Sequence, residues 1–173
     1  MKLIKAYLAN QFGFSETGRY VLENLIKPKI QKIGISINDP FSECKEEFNI
    51  EDLTKLDRYE DRINYYVEFN KKITPINNRL MIDSDCLLAI LDGGHQIDDG
   101  VASEIGYYVG IDQGPIFALR SDFRGGENIA TSINPQIMGY IIQSNGVLVE
   151  GENAIERWFS EIQKWYNKLK NDK

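Results

Sequence analysis

DCLLAILDGGHQIDDGVASEIGYYVGIDQGPIFALR, residues 85–120, is the stretch on which the fold turns. Its first part, DCLLAILD, is a short continuous apolar run, the pattern of a strand buried on both faces. DDGVASEIGYYVGI follows with Val101, Ile105, Tyr108 and Val109 at spacings of three and four, and it opens on an aspartate start signal. PIFALR is a second buried strand. Strand, helix and strand in succession predict a βαβ unit with two parallel strands.

Toward the N-terminus the alternation continues. KLIKAYLA reads as a first strand, and NQFGFSETG as the glycine-bearing turn after it. Residues 15 to about 32 have helical spacing through Tyr20, Leu22, Leu25 and Ile26, with Ser15 as N-cap. QKIGISI reads as the second strand, and the acidic NDPFSECKEEFNIEDLTKLD as an irregular excursion or a lid. Residues 57 to 77 read as a helix through Tyr59, Ile63, Tyr66 and Phe69, ending near ITPINN. Toward the C-terminus QIMGYIIQ is the expected fifth strand, and ENAIERWFSEIQKWYNKL a long amphipathic helix closing on Trp158 and Trp165. No internal repeat or low-complexity segment interrupts the pattern. The expectation is an α/β fold: one domain over residues 1–173, a doubly wound parallel sheet of five strands with helices on both faces. Ligands in such folds bind beyond the carboxyl ends of the strands. The loops there are NQFGF, DGGHQIDDG and RSDFRGGEN.

Composition narrows the partners. With 173 residues, net charge −6 and 42% hydrophobic content, the chain suits one globular domain with its own core. The acidic balance argues against nucleic acid, which calls for a basic footprint. The basic KWYNKLKNDK reads as the solvated end of a helix, its cations complementing the dipole. Nothing reads as a signal peptide or a membrane span. Cys44 and Cys86 lack paired spacing, which argues against a zinc site or disulfide framework and suggests the cytoplasm.

One residue breaks the helical pattern. Glu104 lies three after Val101 and four before Tyr108, on the apolar stripe. Either it faces the sheet or a cleft at its edge, or it sits at the stripe's margin and meets water or a cation. A buried bare charge is costly unless it is hydrogen-bonded or functional. Near a helix N-terminus the dipole favours the charged form, and an ionised, poorly solvated carboxylate is what a glycosyl-transferring nucleophile requires. His95, the single histidine, reads as a loop residue, and Arg120, Asp122 and Arg124 as a surface ion-pair loop.

Three segments together resemble the nucleoside 2-deoxyribosyltransferase family: KAYLANQFGFSETGR, DSDCLLAILDGGHQIDDGVASEIGYYVG and PIFALRSDFRGGENIATSINPQIM. They cover roughly the first 140 residues in the family's order, and the second is the most specific. The resemblance implies a flavodoxin-like fold and transfer of 2-deoxyribose between nucleobases through a covalent deoxyribosyl-glutamate. It implies that Glu104 is the nucleophile, Asp98 the acid/base toward the nucleobase with Asp99 as its neighbouring alternative, and Tyr7 the hydroxyl that holds the carboxylate. Asn10, Gln11, Phe12 and Phe14 would wall the base pocket. Asn78 stands where some members have an aspartate, and Asp92 is a further polar candidate. Asn134 would reach the sugar bound by a neighbouring subunit, so a homo-oligomer with shared active sites is expected. The partners implied are a nucleoside and a free nucleobase, with no cofactor or metal. Two other readings share these residues: an N-glycosidase hydrolysing nucleosides or their 5′-monophosphates, and a non-catalytic nucleotide-binding module. Action on 5′-monophosphates would need a phosphate site, and Glu16 at the start of the first helix opposes one. The expected division of charge has the helix terminus and Tyr7 keeping Glu104 ionised, and a dry pocket keeping Asp98 protonated.

Overall fold

The computed structural model describes residues 3–47, 52, 54–93, 96–124 and 130–171, with backbone alone at 46 and 47. At its centre lies one sheet of five parallel strands: β1 Ile4–Ala9, β2 Ile35–Asn38, β3 Cys86–Ile90, β4 Ile116–Arg120 and β5 Val147–Glu150. Their order is β2-β1-β3-β4-β5. Tyr7 is registered beside Asn38 on one side and Leu87 on the other, and Leu87 beside Ile116. The chain runs outward from β1 to β2 and then returns to β3 on β1's other side. Connections from β1 and β3 therefore leave on opposite faces and open a crevice above their carboxyl ends.

Strand alternation divides the core into two halves. Ile4, Ala6 and Leu8 of β1 face Leu22, Ile26 and Ile30, together with Trp158, Phe159 and Ile162 of the C-terminal helix. Tyr7 and Ala9 face the other way, toward Ile76, Leu80 and Met81 and toward Val101, Ile105 and Tyr108. Helix α1 (Glu16–Val21) passes through a π segment (Leu22–Ile26) into α2 (Lys27–Ile33). Pro28 has no N–H for the carbonyl four residues earlier, and the ladder re-registers with Lys27 N–H donating to Leu22 O. Ser15 caps α1 as expected, its Oγ accepting from Gly18 N at 3.0 Å. Helix α7 (Ala154–Asn171) covers the first face, its fully buried Trp158 donating from Nε1 to Phe117 O at 2.9 Å.

Four expectations are corrected. QIMGYIIQ is not a strand but helix α6 (Pro135–Gln143). Asn134 caps it, Pro135 suits a first turn where an N–H is dispensable, and Ile137 and Ile141 bury one face four residues apart. The fifth strand is Val147–Glu150, after Asn145 turns the chain at φ 58°. The second strand begins only at Ile35, because Gly34 ends α2 at φ 103°, where a Cβ would lie 2.3 Å from the Tyr166 hydroxyl. The acidic excursion contains helix α3 (Pro40–Glu47), and residues 48–51 and 53 lie outside the described residues. The helix expected to end near residue 77 is α4 (Tyr59–Ile82); it continues past Pro75 because Ile76, Leu80 and Met81 are buried beyond it. Helix α5 (Asp99–Gly110) is the one that carries Glu104.

Candidate active site

The site is assembled from β1, α5, α4 and α3. Tyr7 points from β1 to the face covered by α5, and its hydroxyl donates to Glu104 Oε1 at 2.5 Å. Asn77 of α4 donates from Nδ2 to the same oxygen at 3.2 Å. Glu104 is thus on the packing side of α5, and of the two readings open at the sequence level the structure takes the inward one. Asp98 is the N-cap of α5, its Oδ1 accepting from Val101 N at 3.0 Å. That places Asp98 six residues and nearly two turns before Glu104, on the lining of the same cavity. Asp99 is the first helical residue and exposed, and it does not line that cavity.

The cavity has a volume of about 260 Å³. Phe14, Phe41, Phe69 and Ile73 supply its apolar wall, with Asn10, Asn77, Asp98 and Glu104 as polar points. Phe14 and Phe41 meet edge to face at 5.0 Å, and Gly13 lies under the Phe41 ring, where a Cβ would come within 2.5 Å. Asn10 is buried and shapes the loop, donating to Leu8 O and accepting from Phe12 N, both at 3.0 Å. On the far side of Glu104 a more open groove is lined by Thr74, Asn78, Ser103 and Tyr107.

Electrostatics depart from the expected division of charge. Burial pushes the Glu104 carboxyl from 4.5 up to about 7; the Tyr7 hydrogen bond pulls it back and the charge of Asp98 adds to the rise. Desolvation therefore outweighs the Tyr7 donor. Tyr7 itself is held far above its ordinary range, first by burial and then by the neighbouring carboxylate, so it acts as a hydrogen-bond donor.

Among the expected residues, Asn10 and Phe14 line the cavity with Glu104 and Asp98. Gln11 and Phe12 do not: with Asp92 they line a separate depression beside Asp122 and Arg124. Gln11 donates to the carbonyl of Asp92, and the Asp92 carboxylate accepts from Ser121 N at 2.6 Å and Asp122 N at 2.9 Å. Asp92 thus ties the loops after β3 and β4 together. Asn78 faces the open groove, and the amide that meets Glu104 is Asn77. Asn134 is exposed and caps α6, accepting from Gln136 N at 2.9 Å. Arg124 pairs with Asp122 at 2.5 Å as expected of a surface loop, but Arg120 is buried, its guanidinium directed at the carbonyls of Leu91 and Arg124. His95 lies outside the described residues. Sequence reading missed Asn77, Phe41 and Phe69. Asn77 and Phe69 lie on a helix without a motif, and Phe41 in the acidic excursion; only the approach of α3 and α4 to α5 shows their role.

Among the described residues no three His, Cys, Asp or Glu side chains gather as a metal site, and no helix is long and apolar enough to cross a membrane. No curated protein matches the sequence. Among solved structures, the chain is similar to a CMP N-glycosidase from Clostridium botulinum, with a TM-score of 0.52 and 16% identity over 95% of this chain and 98% of that one. It is also similar to a 2-deoxyribosyltransferase from Bacillus psychrosaccharolyticus, with a TM-score of 0.49 and 18% identity over 89% and 90% of the two chains. For a 2-desoxiribosyltransferase from Leishmania mexicana the values are 0.49 and 15%, over 78% and 85%. At 16% identity the likeness to the N-glycosidase is one of fold alone. The family model for nucleoside 2-deoxyribosyltransferases, in contrast, matches residues 6–152, a span that includes Tyr7, Asp98 and Glu104. The chain belongs to the nucleoside 2-deoxyribosyltransferase family.

Proposed function

We propose that the protein transfers 2-deoxyribose from one nucleobase to another through a covalent deoxyribosyl ester on Glu104. The observation that carries this reading is the Tyr7 hydroxyl 2.5 Å from Glu104 Oε1, with Asp98 on the wall of the same cavity. The Glu104 carboxylate attacks C1′ as the N-glycosidic bond breaks. The bonding electrons leave with the base nitrogen, which takes a proton from Asp98. A second base then attacks C1′ through its ring nitrogen and returns its proton to Asp98, and the Glu104 carboxylate leaves. Two inversions give net retention. The aromatic wall of Phe14, Phe41 and Phe69 suits the flat faces of a base. No Lys or Arg lines this cavity among the described residues, which favours neutral nucleosides over their 5′-monophosphates. We further propose that Asn134 serves the neighbouring subunit's sugar in a homo-oligomer, and that the protein works in the cytoplasm.

Incubating the purified protein with a deoxynucleoside and a different free base tests the reading. The exchanged nucleoside is expected. Base release without exchange would replace transfer by hydrolysis, and ligand binding with neither product would leave a nucleotide-binding module. Intact mass after rapid quenching is expected to show a deoxyribosyl adduct that Glu104→Ala lacks.

A further inference from the structure

Glu104 is held by one oxygen. Tyr7 and Asn77 both donate to Oε1, at 2.5 and 3.2 Å, while no hydrogen bond reaches Oε2 among the described residues. The Asn77 amide takes the orientation that gives its Nδ2 the bond to Glu104, while its Oδ1 is buried without a partner among the described residues. A buried, orphaned carbonyl is unfavourable and calls for an explanation. The carboxylate provides one. Turning the amide over would set two acceptors, Oδ1 and Oε1, against each other, so Glu104 dictates that the NH2 faces it. Asn77 also stands where the aromatic cavity and the more open groove meet at Glu104.

We infer that Asn77 is a positioning residue for the nucleophile: with Tyr7 it pins Oε1 and leaves Oε2 as the oxygen that bonds to C1′. This rests on the reading of Glu104 as nucleophile and assigns its two oxygens different parts. In the first half-reaction Oε2 forms the new bond and Oε1 becomes the ester carbonyl oxygen, still accepting from both donors. In the second, the C1′–Oε2 electrons return to the carboxylate, and the same two donors stabilise the departing anion. One amide thus assists both attack and departure, and it favours the ionised form of Glu104 before substrate arrives.

The test uses the full chain with carboxyl-13C glutamate, the Glu104 resonance being assigned by its absence in Glu104→Gln. In substrate-free protein, Asn77→Ala is expected to raise the Glu104 midpoint by roughly half a pH unit or more, and Asn77→Asp by more than about one unit, because a second carboxylate then faces the first. In turnover, Asn77→Ala is expected to lower kcat roughly tenfold with KM within about twofold, and to move the acid limb of the pH profile upward with the NMR midpoint. Should the alanine variant melt early, Asn77→Ser, which is also too short to keep the contact, is read in the same way. A Glu104 midpoint unmoved in the alanine or serine variant and in the aspartate variant overturns the inference. Absence of exchange and of base release by the unaltered protein would instead sink the catalytic reading, while the titration still reports whether Asn77 acts on Glu104.

Discussion

At Glu104 burial and the charge of Asp98 act against the Tyr7 hydrogen bond, and burial wins. The carboxyl rises from 4.5 to about 7 despite the Tyr7 hydroxyl at 2.5 Å. Its ionisation should therefore set the acid limb of the pH profile: kcat/KM is expected to climb with pH toward about 7, as stopped-time exchange assays across pH would record. Tyr7→Phe removes a donor that lowers this pKa, so the acid limb should shift further upward while kcat falls by about 10- to 100-fold. The same shift has a consequence for stability. A group whose folded pKa is raised stabilises fully below its unfolded value and loses that contribution as pH rises through the folded one. Between pH 4.5 and about 7 the unfolded chain releases the proton that the folded protein keeps. On the alkaline side Glu104 then costs on the order of 3 kcal/mol. Glu104→Gln should accordingly raise Tm at pH 8 and change it little at pH 4.5. Equal gains at both pH values in thermal melts would show that the carboxylate is not held under this strain.

Among the elements, α3 has the most direct bearing on specificity. It brings Phe41 and Cys44 to the cavity, and Asp39 fixes its first turn by accepting from Phe41 N at 3.1 Å and Ser42 Oγ at 2.6 Å. Lys27 of α2 completes the anchor with an ion pair to Asp39 at 2.6 Å, the two side chains only 12% and 7% exposed. Burial works against the Lys27 charge, but its bonds to Asp39 and Glu23 prevail and raise its pKa. Lys27→Met strands the Asp39 carboxylate. The expected loss is about 3 kcal/mol in denaturant melts, together with a KM for nucleoside that rises more than kcat falls. An unchanged KM would separate α3 from substrate binding. These elements also show where reading the sequence succeeds. The run CLLAI and the stripe Val101, Ile105 and Tyr108 state their own periods, and β3 and α5 follow them. PQIMGYIIQ is rich in residues that suit either state, and its capping Asn-Pro pair, rather than its composition, decides for helix. Helix α4 outlasts its expected end because Pro75 removes one donor, while three apolar side chains beyond it gain burial.

On the scale of the whole molecule, Asn134 and α4 bear on assembly. Asn134 stands exposed at the start of α6, and Tyr59, Ile63, Tyr66 and Val67 expose apolar surface along α4. Both observations support the proposal of a homo-oligomer whose sites draw on neighbouring subunits. Light scattering should then give a mass above 19.9 kDa. Asn134→Ala should lose about 1 kcal/mol with its helix cap. If the sites are shared, mixing inactive Glu104→Ala subunits with Asn134→Ala subunits should restore exchange in the mixed assemblies. No recovery after verified subunit exchange would confine Asn134 to its capping role.

The amino-acid sequence by itself determined the alternation of strands and helices, the place of Glu104 along an apolar stripe, and an aspartate pair at the start of its helix. These are local properties, written in periodicity and in the chemistry of caps. The tertiary structure alone decided that Asn77 rather than Asn78 meets the carboxylate, that Asp92, Gln11 and Phe12 serve a different loop cluster, and that Phe41 and Phe69 close the aromatic wall. It also raised the proton affinity of Glu104 above what its place near a helix terminus implied. A carboxyl's proton affinity depends on how much water the surrounding elements exclude, and that is a sum over segments distant in the chain which no single segment records.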